Sequence, residues 1–92
     1  MTKSGEILGM AYETMQERAA SYDAPDGERS MAAIVSMFNS LTGHQITEAQ
    51  GWKFMVLLKL VRSEQGQDKL DNYVDACAYV ALAGECVCND LD

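Results

Sequence analysis

Apolar residues recur along this chain at intervals of three and four, in four separate stretches. That spacing places them on one side of an α-helix, whose repeat is about 3.6 residues. The first stretch, about residues 4–20, carries Leu8, Tyr12, Met15 and Ala19 as its apolar stripe. The second, about 28–41, carries Met31, Ile34, Val35, Phe38 and Leu41. The third, about 47–63, is apolar on nearly every side. Between Trp52 and Val61 only Lys53 and Lys59 are polar, the pattern of a helix buried on most faces. The fourth, about 68–88, carries Leu70, Val74, Cys77, Ala81 and Gly84 on one side, with further alanines that permit close packing. No stretch alternates apolar and polar residues as a half-buried strand does. The pattern therefore predicts an all-α protein, a four-helix antiparallel bundle with short connections.

Local signals punctuate these stretches. Ser4 is the expected N-cap of the first helix. Pro25 disfavours helix at Ala24, and Asp26-Gly27 is a turn pair, so the first helix ends before them. Thr42-Gly43 closes the second, with Gly43 suited to a left-handed C-cap. Thr47 followed three residues later by Gln50 is a capping box, and Ile46 before it is placed to staple onto Gly51 or Trp52. Gln65-Gly66-Gln67 breaks the third helix, Asp68 is the expected cap of the fourth, and Asn89 to Asp92 reads as a frayed acidic tail.

Ninety-two residues suffice for one domain, residues 1–92. The chain holds fourteen acidic and seven basic residues, for a formal charge of −7. A protein that clamps a phosphate backbone needs a basic face, so duplex nucleic acid is not the expected partner. A local basic pocket for a small phosphate compound remains compatible with that charge. The longest apolar run, Phe54 to Leu58, is far short of the roughly 20 residues needed to span a bilayer. The first residues show no apolar leader, so a cytoplasmic location without membrane association is expected. Cys77, Cys86 and Cys88 are odd in number, and the last two fall on different sides of a helix, so reduced thiols are expected. A small domain with so apolar a third helix is expected to form homo-oligomers.

One constellation carries chemistry. Lys59 and Arg62 are three residues apart on the third helix, and Asp71 and Asp75 four apart on the fourth, each pair on one helical face. In an antiparallel pair of helices Arg62 falls near Asp71, and Lys59 and Asp75 lie one turn deeper. Two readings compete. The four residues form a salt-bridge ladder that fixes helix pairing, or they form a site in which Lys59 and Arg62 hold phosphate oxygens and the aspartates orient those bases or hold a cation. The segment Tyr22 to Arg29 is a charged turn, or a flap presenting Tyr22 and Arg29 to a ligand. Glu13 and Glu17 read as a solvated face, Trp52 as core. His44 stands alone, and no phosphate-binding loop, dinucleotide fingerprint, zinc-protease motif or nucleophile elbow is present.

The order Tyr22-Asp23-Ala24-Pro25, Gly27-Glu28-Arg29-Ser30-Met31, Phe38-Asn39, Thr47, Gly51-Trp52, Leu58-Lys59, Arg62, Asp71, Asp75 and Ala78-Tyr79 resembles a family of small phage and prophage proteins. The resemblance spans roughly residues 6 to 86. More distantly, Asp71, Asp75 and Tyr79 resemble the last acidic motif of the MazG-like all-α nucleotide pyrophosphohydrolases. That resemblance implies a MazG-like bundle, a nucleotide ligand and magnesium held by carboxylates, with Asp71 and Asp75 as the weak metal candidates. The chain departs from the family where a preceding helix should bring glutamates. Here that helix brings Lys59 and Arg62, and only Glu13 and Glu17 could substitute.

The expected function is that of a phage accessory protein binding a nucleotide or nucleotide signal through Lys59, Arg62, Asp71 and Asp75, with Tyr22 and Arg29 nearby. Magnesium-dependent hydrolysis is not favoured by the incomplete carboxylate set. The alternative is an acidic inhibitor that binds a host or anti-phage-defence protein in the host cytoplasm. A third reading is a structural accessory protein whose role is assembly.

Overall fold

The computed structural model describes residues 1–21 and 30–91, with side chains described within 1–18 and 30–88. Four helices follow one another: α1 (Ser4–Ser21), α2 (Ser30–Thr42), α3 (Glu48–Glu64) and α4 (Leu70–Leu91). No strand occurs among the described residues. The protein is all-α with bundle-like packing, as the periodicity predicts. None of its described helices is long and apolar enough to cross a membrane.

The termini of the helices follow their local chemistry, with two changes. The Thr47 hydroxyl accepts from the Gln50 N–H at 3.1 Å, and the Gln50 side-chain oxygen accepts from the Thr47 N–H at 2.8 Å, completing the capping box. Gly43 (φ 78°) and Gly66 (φ 83°) take the left-handed backbone that ends α2 and α3. In α1, by contrast, the Lys3 carbonyl receives the Glu6 and Ile7 amides, so Lys3 takes the cap position and Ser4 is the first residue inside the helix. Asp68 does not cap α4. Its carboxylate accepts the Tyr73 hydroxyl at 2.6 Å, and the helix begins at Leu70. At the other end α4 continues to Leu91, through the segment expected to fray.

Neighbouring helices pack in the order α1, α4, α3, α2. α3 and α4 run antiparallel, with Glu48 against Cys86, Trp52 against Tyr79 and Lys59 against Asp75 as successive rungs. The main core gathers Met31 and Val35 of α2, Trp52 of α3, and Tyr79 and Ala83 of α4, with Ile46 packed on its edge where the hydrophobic staple is expected. Trp52 and Tyr79 stack with ring centroids 5.6 Å apart, an arrangement adding about 0.5–1.5 kcal/mol to simple burial. A second, smaller cluster joins Ala11 of α1 to Val74 and Ala78 of α4, edged by Ile7, Met10, Met15 and Cys77. α2 reaches α3 at Gly51, where an added Cβ would stand 2.5 Å from Met31 Sδ and 3.0 Å from Val35 Cγ2. A larger residue there would require Met31 and Val35 to shift. Across the α2–α3 turn, the Asn39 side chain donates to the Ile46 carbonyl and accepts its N–H, each at 3.0 Å.

Three expectations about faces are corrected. In α1 the buried stripe is Ile7, Ala11 and Met15, while Leu8 and Tyr12 point outward. The helix carries two overlapping apolar stripes, and the one bearing the small Ala11 lies closest to α4. In α4 the expected line is met at Val74 and Cys77, which pack against α1, whereas Leu70, Ala81 and Gly84 are exposed. This helix is sandwiched between α1 and α3, so it buries two faces: Val74 and Ala78 on one, Ala76, Tyr79 and Ala83 on the other. In α3 the expected burial on most faces is not met within the chain. Its α4-facing side is covered, but Phe54, Leu57, Leu58 and Val61 remain exposed.

Candidate functional site

Asp75 lies on α4 between the face that meets α1 and the face that meets α3. That position makes it the meeting point of three helices. Its Oδ2 lies 2.9 Å from Lys59 Nζ of α3, and its Oδ1 lies 4.0 Å from Arg18 Nη2 of α1. The Lys59 and Asp75 side chains keep only 14% and 19% of their surface exposed, whereas Arg18 keeps 45%. The node therefore has a covered pair at its base and an arginine at its rim. Two cations, Lys59 and Arg18, thus face the Asp75 carboxylate.

The deep rung expected between Lys59 and Asp75 is present. The outer rung is not: Arg62 and Asp71 are both exposed, and no ion pair joins them among the described residues. Asp71 lies in the first turn of α4 and Arg62 in the last turn of α3, at the end of the helix pair where both side chains are open to solvent. Arg62 lies on the same helix as Lys59, three residues further on and exposed.

Arg18 is the residue that sequence reasoning missed. A signal was present, since Ile7, Ala11, Met15 and Arg18 continue one helical stripe at spacings of four, four and three. Which of the two α1 stripes faces the bundle decides whether Arg18 reaches Asp75, and periodicity alone does not choose between them. Tyr22 and Arg29 lie outside the described residues.

The described donors around Asp75 do not suit magnesium. Among the described residues no three His, Cys, Asp or Glu side chains gather as a metal-holding group. Asp75 is engaged by cations, Asp71 stands in solvent, and Glu13 and Glu17 lie on the exposed side of α1. A magnesium ion wants several oxygen ligands, and a carboxylate already neutralised by an ammonium is a poor one. An anion suits the basic residues better, because Arg62 is exposed and a guanidinium is a forked N–H donor.

Other polar groups serve the fold. The Cys86 thiol donates to Glu48 at 3.2 Å, tying the start of α3 to the end of α4, and Cys77, Cys86 and Cys88 are all free thiols. His44 stacks on Phe38 at 6.0 Å. The Asn72 side chain donates to the Gln67 carbonyl at the α3–α4 turn.

Comparison with curated proteins and with solved structures finds no match. A domain of unknown function, DUF6378, matches residues 6–87, nearly the whole chain and all the residues of the charged node. The chain therefore belongs to the DUF6378 family.

Proposed function

We propose that this protein binds a phosphorylated small molecule of the nucleotide class at the junction of α1, α3 and α4, and does not hydrolyse it. The observation that supports this reading is the pairing of one carboxylate, Asp75, with two cations, Lys59 and Arg18. Asp75 holds the Lys59 side chain in place at the base of the site. Arg62, exposed and three residues beyond Lys59 on α3, supplies the donors that a phosphate would meet from solvent. Asp71 limits the positive field at the rim. The resemblance to MazG-like proteins and to small phage proteins agrees with a nucleotide ligand in an infected cell, and the basic residues on α3 in place of glutamates argue for holding the ligand and against its hydrolysis.

The test is calorimetric titration with nucleoside triphosphates and cyclic nucleotides, with and without magnesium, on wild type and on Arg62→Ala. Loss of one charged bidentate donor is expected to weaken binding by about 1.5–3 kcal/mol. The fold should survive, because Arg62 is exposed. Magnesium-dependent turnover would refute the binding-only reading.

A second reading is favoured by a different aspect of the same pair. At 2.9 Å and mostly covered, Lys59 and Asp75 satisfy each other without any ligand. Under that reading the node locks the helices, and the protein acts as an acidic inhibitor of a host or defence protein, its charge of −7 speeding encounter with a basic surface. Absence of binding by every nucleotide at millimolar concentration would favour it.

A further inference from the structure

Two stripes on adjacent helices have the spacing of core residues and lie in solvent. On α2, Ile34, Met37, Phe38 and Leu41 fall at i, i+3, i+4 and i+7, with Met37 67% and Leu41 80% exposed. On α3, Phe54, Leu57, Leu58 and Val61 repeat the same spacing on the side away from α4, with Phe54 69% exposed. Apolar residues at this spacing form the stripe by which a helix packs against another element. Among the described residues no helix supplies that element, since α2 packs against α3 and α3 against α2 and α4.

We infer that a second copy of this chain covers the α2 and α3 stripes, forming a homodimer whose shared core is built from these two helices of each subunit. Three features select this occupant. The first is area. The chain exposes 6686 Å², against about 5,300 Å² expected for a compact monomer of its 10.1 kDa mass. The excess, roughly 1,400 Å², falls within the about 1,000–2,500 Å² that each subunit of an obligate dimer buries. The radius of gyration agrees, at 14.2 Å against about 12.3 Å for a compact chain of this length.

The second feature is an incomplete interior. No large side chain is fully buried anywhere among the described residues, so the subunit by itself has a thin core. The third is charge. Two chains of −7 repel one another, and a lasting contact needs a surface free of acids. α2 has no charged residue in its thirteen positions, and α3 from Gly51 to Leu60 carries only Lys53 and Lys59. Interfaces formed and dissolved in solution keep an ordinary share of polar surface, whereas permanent homodimer interfaces resemble a divided core. A two-fold arrangement would set the α2–α3 pair of one subunit against that of its partner as a four-helix core.

The inference does not depend on the ligand proposed above. Light scattering coupled to size exclusion on the full chain should give twice the 10.1 kDa mass at micromolar concentration, and the melting temperature should rise with protein concentration. Leu41→Lys and Leu57→Lys place a charge in each stripe and should weaken dimerisation at least a hundredfold, whereas Tyr12→Lys, at an exposed apolar position on α1, should leave it intact. Should the stripe variants fail to fold, the concentration dependence of wild-type melting carries the decision: its presence supports the dimer and its absence refutes it. A monomer at 100 µM and above would overturn the inference, as would a dimer indifferent to both stripe substitutions.

Discussion

The Lys59 ammonium and the Asp75 carboxylate meet at 2.9 Å across the α3–α4 seam, with Arg18 of α1 4.0 Å from the other carboxylate oxygen. Asp75 thus serves two interfaces, and Asp71, one turn earlier and exposed, serves neither. Asp75→Ala should therefore cost more stability than Asp71→Ala. Removing one partner of a fully buried pair costs about 3–5 kcal/mol, and an exposed pair contributes about 0–1 kcal/mol. With a seventh of Lys59 and a fifth of Asp75 still in water, an intermediate loss of about 1–3 kcal/mol is expected for Asp75→Ala. Asp71→Ala should change stability by less than about 0.5 kcal/mol. Equal, small shifts in urea midpoints would show that the node carries no stability.

Glycines in two helices should respond in opposite directions. Gly9 in α1 has open space where a Cβ would be, so Gly9→Ala should stabilise by about 0.5–1 kcal/mol through helix propensity. Gly51 lies beneath Met31 and Val35, and Gly51→Val should destabilise by about 1–3 kcal/mol by forcing α2 from α3. Chemical denaturation of the two variants side by side checks both signs. A stabilised Gly51→Val would mean that α2 does not rest on α3 as described.

The capping box and the aromatic stack should separate in magnitude. Thr47→Ala removes the acceptor of the Gln50 amide and should cost about 1 kcal/mol. Trp52→Ala removes a side chain only 5% exposed, together with its stack on Tyr79, and should cost about 3–5 kcal/mol. A melt in which the two losses were similar would contradict the placement of Trp52 at the centre of the core.

Tyr73 gives a pH signature. Its hydroxyl donates to Asp68, which pushes its pKa above the ordinary value of 10.0, and the negative charges of Asp68 and Glu64 act in the same direction. A folded-state value above the unfolded one means that the fold favours the protonated phenol. Any stability this contributes is complete below pH 10.0 and is lost as pH rises through the folded value. Spectrophotometric titration should show one tyrosine ionising later than normal, and Asp68→Asn should bring it back toward 10.0. A titration unchanged by Asp68→Asn would rule out that hydrogen bond.

How far the sequence could be read depended on whether a feature is local. Four helices, the Thr47–Gln50 box, the left-handed stops at Gly43 and Gly66 and the staple at Ile46 all rest on residues within a turn or two of one another. Their hydrogen bonds and backbone angles form in the same way whatever the helices later touch. The Lys59–Asp75 pair was also within reach, because a short connection makes α3 and α4 antiparallel neighbours and thereby fixes which rungs face.

Only the tertiary structure decided which stripe of each helix is used. Leu8 and Tyr12 share an apolar stripe with Met15, yet Met15 packs with Ile7 and Ala11 instead, and that side of α1 meets α4 and brings Arg18 to Asp75. The same holds for α4, central between α1 and α3, and for α3, whose Phe54, Leu57, Leu58 and Val61 were expected inside and stand in solvent. Periodicity records that a face avoids water; it does not record which surface covers it, because the hydrophobic effect is proportional to area and has no direction. Direction comes from shape, here from Ala11 and Gly51, and shape acts only once the helices are together.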